Sequence, residues 1–379
     1  MFEYQQHGKF FAQIAGSMED IGALELKEFG AKQVNPVYRG IHFKTDLAHL
    51  YRINYQSKFS SRILAPLITF DCHSTKYLYN TAIKMAWDEI LTIDKTFAIY
   101  SNVSNSKITH SQYATLVLKD SIIDFFREKY SQRPSIDTDS PDVVFNLFID
   151  KNRATISLDT SGKPLHKRGY RNSKGSAPMQ ETLAAAIVEL SGWKGDKKLY
   201  DPMCGSGTLL CEAALKYCRV PSGFKRGFWG FENLPDFNRE DWYKIKENSK
   251  KNIRELPSDL IFGSDISYHA IEDSKLNCAS LPFAKNIDLK QVDLRYLPEI
   301  KNSIVISNPP YGMRLGSKAT TSALYKNLGD FLKQKCKGST AYIYVGDRDL
   351  IPDIGLKPAF KRPLKNGNID GRLLKIEIY

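Results

Sequence analysis

KKLYDPMCGSGTLLCEAALKYC, from Lys197 to Cys218, decides the fold. KKLYD reads as a short strand and LLCEAALKYC as a helix. Between them lies the tight loop Asp201-Pro202-Met203-Cys204-Gly205-Ser206-Gly207-Thr208. Strand, glycine loop and helix in that order build a nucleotide-binding crevice. Glycines let the backbone approach a ligand closely, and a carboxylate at the strand end can meet hydroxyls or an amine. The loop lacks the Lys-Ser/Thr pair of a phosphate-binding P-loop and is too short for GxGxxG. Cys204 has no histidine near it in sequence, so a neutral packing thiol is expected there.

Downstream, the pattern repeats. DLIFGSDIS puts Asp265 at a second strand end, ahead of the helix SYHAIEDSKLNCASL, where an acid can grip a ribose diol. IDLKQVDLRYL puts Asp293 and Leu294 at a third, pairing a carboxylate with an apolar wall. IVISNPPYGMRLG, Ile304 to Gly316, gives the fourth. Two consecutive prolines cannot continue a sheet ladder, so Asn308-Pro309-Pro310-Tyr311-Gly312 is a stiff turn. Its amide oxygen and proline carbonyls form an acceptor-only corner suited to an exocyclic amino group. Tyr311 offers a flat face for a base. Then follow the helix TTSALYKNLGDFLKQ, the strand STAYIYVGD and a closing hairpin around Lys365–Asn368, which predicts antiparallel strands added to a mostly parallel sheet.

Upstream, Pro178 is expected to open the helix PMQETLAAAIVELSGW. Before it, Lys163–Lys174 holds five basic residues and no acidic one, among them Lys167, Arg168 and Arg171, and reads as a basic linker. Residues 1–160 give two small α/β units, with the second ending in two strands around a turn at Lys151-Asn152, and offer no nucleophile, metal cluster or phosphate loop. A binding role is expected for them. The interval from Lys216 to Asp259 is expected to add helix and loop beside the helix that follows the glycine loop, with Trp229, Phe231, Phe237 and Trp242 as satellite core.

The 379 residues carry a formal charge of +12, yet residues 1–160 balance 18 Lys/Arg against 18 Asp/Glu. The excess lies in the linker, in Arg314–Lys337 and in Lys357–Lys375, next to the NPPY segment in sequence, which favours a polyanionic substrate. No signal peptide, membrane span or zinc spacing is expected, and scattered cysteines fit a reduced, cytoplasmic protein.

Asp201–Thr208, Asp265, Asp293 and Asn308–Gly312 together resemble the class I S-adenosylmethionine-dependent methyltransferases that modify exocyclic amines. With PMQETLAAAIVELSGW and the aromatic interval, the chain is similar to the THUMP-containing RNA methyltransferases, especially those acting on the guanine 2-amino group of large-subunit ribosomal RNA. The resemblance implies an α/β architecture in four parts. These are a ferredoxin-like module over 1–64, a THUMP-like RNA-binding module over 65–162, the basic linker 163–178, and a Rossmann-like methyltransferase domain with a mostly parallel sheet over 179–379. It implies S-adenosyl-L-methionine as cofactor, with Asp201, Met203, Gly205 and Gly207 around the methionine portion, Asp265 on the ribose and Asp293 on the adenine amine. Thr208, Ile266, Leu294 and Asn308 complete that set. Asn308, Pro309 and Tyr311 receive the target base, while Pro310, Gly312, Arg314, Lys167, Arg168 and Arg171 contact substrate. No metal is implied. The partner is RNA, 23S ribosomal RNA or a large-subunit precursor, with no membrane and no obligate protein partner. Transfer RNA guanine, DNA or RNA adenine, and a non-catalytic RNA-binding scaffold are the alternatives.

Overall fold

The computed structural model describes residues 1–171, 179–311 and 318–379. It divides into two units: Met1–Ile14, Gly22–Leu165 and Arg226–Lys246 form the first, and Ala15–Ile21, His166–Lys225 and Glu247–Tyr379 the second.

The first unit runs α1 (Glu3–His7), β1 (Lys9–Ile14), α2 (Glu19–Glu28), β2 (Lys32–Val37), β3 (Gly40–Lys44), α3 (Leu47–Gln56), β4 (Ser60–Asp71), α4 (Thr75–Ala82), β5 (Thr96–Ser104), α5 (Ser111–Tyr130), β6 (Ser135–Ile136), β7 (Val143–Asp150) and β8 (Arg153–Asp159). Most of α2 falls in this unit and its first residues in the other. The strands join in one sheet ordered β2-β3-β1-β4-β8-β7-β5-β6. β4 makes this possible because it is twelve residues long. Its first half pairs β1 through Ile63 and Leu64, and its length from Leu64 to Asp71 pairs β8. One strand therefore serves both modules, running straight through Leu64. The β7–β8 turn falls on Lys151 and Asn152, both left-handed, as a tight primed turn requires.

The second unit carries α6 (Glu181–Leu190), β9 (Leu199–Asp201), α7 (Thr208–Cys218), β10 (Ile261–Asp265), α9 (Tyr268–Ala279), β11 (Asp288–Gln291), β12 (Ile304–Ser307), α10 (Lys318–Lys335), β13 (Thr340–Val345), β14 (Phe360–Asn366) and β15 (Ile369–Glu377), with α8 (Arg239–Lys251) shared between the units. Its sheet order is β11-β10-β9-β12-β13-β15-β14. The first five strands are parallel and the terminal hairpin adds two antiparallel ones, as the sequence predicts. All four residues of β12 are buried, which fits a central parallel strand covered on both faces. Chain order runs outward from β9 to β11 and then returns to β12 on the other side, so the switch point lies between β9 and β12. A crevice opens at the carboxyl ends there.

The structure departs from the sequence reading in three places. α6 begins at Glu181 behind Gln180, and Pro178 lies outside the described residues. The division between the units falls between Leu165 and His166, inside the stretch read as a basic linker. Of the aromatic interval, Arg226–Lys246 goes to the first unit, while Arg254 stays beside α7 by donating to the Tyr217 carbonyl. Trp229 and Trp242 set their edges against Tyr55 at 6.0 and 5.2 Å between ring centroids, and Phe231 lies 4.7 Å from Tyr51. Gly230 allows this approach, because a Cβ there would strike the Asp159 carbonyl at the end of β8. Aromatic-rich sequence signals burial, but carries no address for the surface it covers. Among the described residues no helix is long and apolar enough to cross a membrane.

Candidate active site

Four strand ends meet around one cavity of about 720 Å³. Asp201, Met203, Gly205 and Thr208 line it from the β9–α7 loop, Asp265 and Ile266 from β10, Asp293 and Leu294 from beyond β11, and Asn308 and Pro310 from beyond β12. Residues separated by more than a hundred positions in sequence thus share one wall.

Asp201 is 1% exposed. Its Oδ1 accepts from the Ser307 hydroxyl at 3.0 Å and from the Met203 amide at 3.1 Å. Burial, reinforced by the nearby Asp265 charge, pushes its pKa up to about 7. Asp265 bonds with both oxygens: Oδ2 takes the Gly205 amide and Oδ1 the Ser267 amide, each at 2.9 Å. It clamps the glycine loop to the start of α9. Ser267 caps that helix by accepting from the Ala270 amide.

The two loop glycines do different work. Gly205 is left-handed at φ 55°, and a Cβ there would meet nothing within 4 Å, so it faces the open cavity. Gly207 does not line the cavity. It is left-handed at φ 76°, and a Cβ would collide with the Ser274 hydroxyl on α9. Its smallness serves helix packing, in place of the cofactor contact expected for it.

Asp293 is covered. It caps a short 3₁₀ turn by accepting from the Arg295 amide at 2.9 Å, and the Arg295 guanidinium reaches it at 2.7 Å. Those hydrogen bonds hold its carboxyl below the ordinary value. Arg295 also lines the cavity, and the sequence reading missed it. That reading also missed Thr320, Ala323, Leu324 and Asn327 of α10, whose spacing places them on one helical face toward the cavity. That i, i+3, i+4, i+7 pattern was the available signal.

At the NPPY turn, Asn308 Oδ1 is buried and has no hydrogen-bond partner among the described residues. An orphaned acceptor in a cavity wall costs about 1–3 kcal/mol unless a ligand donates to it. Pro309 stays out of the lining and Pro310 enters it. Tyr311 is half-buried: its ring packs where a Cβ of Gly346 would sit and stands edge-on to Tyr344 at 6.4 Å, and its hydroxyl accepts from the Asn366 amide at 3.4 Å. The expected stacking platform is an anchor holding the turn onto the end of β13. Gly312 and Arg314 lie outside the described residues.

Two of the three linker cations are held by carboxylates of the second unit. Arg168 is 1% exposed, with its Nε 3.6 Å from Glu212 on α7, and Tyr170 donates to the same carboxylate at 3.0 Å. Burial pushes Glu212 up to about 7 despite the arginine. Arg171 lies 3.3 Å from Glu181 and donates to the Met179 carbonyl at 3.0 Å and the Thr208 hydroxyl at 3.1 Å. Met179 and Thr208 both line the cavity. A buried guanidinium committed to a carboxylate is unavailable to phosphate, so the substrate contact expected of Arg168 gives way to a structural role, while Arg171 stays half-buried at the cavity wall. Lys167 remains exposed. Burial holds the Cys204 thiol well above its ordinary value, as a neutral packing role requires.

Residues 168–375 match the family model described as the RMKL-like methyltransferase domain, 72–159 the THUMP domain, and 9–64 the RlmL ferredoxin-like domain. The chain belongs to the RMKL-like methyltransferases. It is 37% identical over 98% of its length, and 97% of the other chain, to slr0064 of Synechocystis sp., provisionally named as an RNA methyltransferase. It is 36% identical to the ribosomal RNA large subunit methyltransferase K/L of Syntrophotalea carbinolica, over 98% of this chain but 53% of that one, so it spans about half of that relative. Among solved structures, a possible methylase from Clostridium difficile 630 superposes with a TM-score of 0.86 at 27% identity, covering 98% of each chain. SMU.472, a methyltransferase by provisional name solved with SAH, also gives 0.86, at 25% identity over 98% of each chain.

The cavity of this RMKL-like methyltransferase fits the cofactor of its fold class, S-adenosylmethionine. A left-handed glycine opens onto space, a buried carboxylate lines the wall, and an amide oxygen has no donor among the described residues.

Proposed function

We propose that this enzyme transfers a methyl group from S-adenosylmethionine to the exocyclic 2-amino group of a guanosine in large-subunit ribosomal RNA, 23S or its precursor, in the cytoplasm. The observation that carries it is the buried Asn308 Oδ1 at the switch-point cavity, without a partner among the described residues and beside the acids of three further strand ends. The names and domain content of the relatives support RNA as the substrate class, with residues 1–64 and 65–162 for capture and 179–379 for chemistry.

Bound cofactor supplies the electrophilic methyl. Asp201 would hold its methionine ammonium, Asp265 and Gly205 its ribose side, and Asp293 with Leu294 its adenine. Asn308 Oδ1 would accept from the target amine, fixing the direction of its lone pair. As that nitrogen takes the methyl it would gain positive charge that this acceptor binds more tightly, which lowers the barrier, and its extra proton would pass to water. Taking the base out of its stack is offset by contacts in the pocket.

Incubation with labelled cofactor and separate pools of large-subunit RNA, transfer RNA and DNA, followed by nucleoside analysis, tests this. The expected product is N2-methylguanosine from the large-subunit pool. Label found only in adenine, only in DNA or in no pool overturns the reading.

A further inference from the structure

Charge on the described wall of the cofactor cavity is lopsided. Asp201, Asp265, Asp273 and Asp293 line it against one guanidinium, Arg295, which is already paired with Asp293. Those acids suit the ammonium and the hydroxyls of S-adenosylmethionine. They repel its carboxylate, which needs donors of its own at the methionine end.

Arg171 supplies positive charge from directly behind that wall. Its Nη2 donates to the Thr208 hydroxyl at 3.1 Å and to the Met179 carbonyl at 3.0 Å, and both of those residues line the cavity. Glu181 lies 3.3 Å from the same nitrogen. The Arg171 Nε, by contrast, is buried with no hydrogen-bond partner among the described residues, so Glu181 does not saturate the guanidinium. An arginine can only donate, so the Thr208 oxygen accepts from it and the single hydroxyl proton is left to donate elsewhere. Thr208 opens α7 at one end of the glycine loop, and Asp201 closes β9 at the other. An acid and an oriented donor thus bracket one loop, as the two charges of an amino-acid zwitterion require.

We propose that Arg171 is a positioning residue for the cofactor. Thr208 donates its hydroxyl proton to the cofactor's carboxylate, while Arg171 fixes that donor and balances the charge. The assignment rests on the cofactor of the function proposed above and holds whichever base receives the methyl.

Calorimetry on the full chain without RNA tests it, comparing S-adenosylmethionine with its decarboxylated form, which keeps the sulfonium, ammonium and adenosine. The parent should bind the carboxylate-bearing ligand about tenfold to a hundredfold more tightly, the range of one charge-assisted hydrogen bond. Arg171→Gln and Thr208→Val should each weaken S-adenosylmethionine binding by about tenfold and leave the decarboxylated ligand unaffected. Thr208→Ser should keep the parental preference, because it keeps the hydroxyl. Arg171→Gln also takes a partner from the buried Glu181, so Thr208→Val, which alters no charge, guards the test against a folding defect. Equal losses for both ligands would make the pair purely structural and overturn the assignment. So would an Arg171→Gln variant that keeps the ligand preference while losing RNA affinity, which returns Arg171 to substrate contact. A parental preference abolished by both variants, with no RNA methylated, upholds the assignment and overturns the function proposed above. A parent that binds neither ligand overturns both.

Discussion

Asn308→Ala deletes the unpartnered acceptor and leaves the two prolines that shape the turn. Cofactor affinity should hold, while the single-turnover rate should fall about a hundredfold, roughly 2.7 kcal/mol at 1.36 kcal/mol per tenfold. A folded variant that methylates at the parental rate would reduce NPPY to a strand terminator. Asp201 gives a prediction in pH. Its carboxyl titrates near 7, and only the ionised form attracts an ammonium. Cofactor affinity should therefore drop as pH falls through about 7, measurably by calorimetry between about pH 6 and about pH 8. Asp201→Asn should bind weakly at every pH, and a flat parental profile would remove the ammonium assignment. Residues at strand ends were legible from sequence because a carboxylate or a proline pair there interrupts an apolar run. The Arg295 cover on Asp293 and the anchoring of Tyr311 were not, since both depend on which neighbours the turn delivers.

The glycine loop and the two helices behind it behave as a mechanical element. Gly205→Ala places a methyl in open space and a left-handed strain of about 1–2 kcal/mol on the loop, so cofactor affinity should suffer more than stability. Gly207→Ala adds a clash with Ser274, and its melting temperature should fall further; Ser274→Gly should restore part of it. Equal stability of the two alanine variants would contradict the packing described. Behind the loop, Arg168→Ala would strand Glu212 and should cost about 3–5 kcal/mol. The sequence reading of Arg168 as an RNA contact predicts instead a stable protein with a shallower salt dependence. Glu212 also makes stability pH-dependent. Its carboxyl is raised from an ordinary 4.5 to about 7, so in that window the folded chain keeps a proton that the unfolded chain has released. Its contribution therefore falls as pH rises from about 4.5 to about 7 and levels off above. Denaturation midpoints of parent and Glu212→Gln should diverge across that window. Nothing in KPLHKRGYR distinguishes buried from exposed arginines. Basic residues in an acid-free run look solvent-facing until the acids that meet them arrive from α6 and α7.

At the scale of the molecule, the sheet with its terminal hairpin was readable from motif order. The cut points were not, because contacts decide them. A fragment beginning at Gly175 would discard Arg168, Tyr170 and Arg171, leaving Glu181 and Glu212 buried without them. It would also leave Trp229, Phe231 and Trp242 without Tyr51 and Tyr55. It should aggregate or melt well below the intact chain, and a soluble, cofactor-binding fragment would show that these contacts matter less than their burial implies. The same aromatic return sets a timetable during synthesis. β8 ends at Asp159, yet the first unit takes in residues up to Lys246, 87 positions later. At ~5–20 residues per second, its nascent sheet waits roughly 4–17 s for the rings that cover Tyr51 and Tyr55. Through that interval the emerging chain carries an uncovered tyrosine surface, the kind that chaperones and aggregation compete for, and rare codons placed before Lys246 would lengthen the exposure.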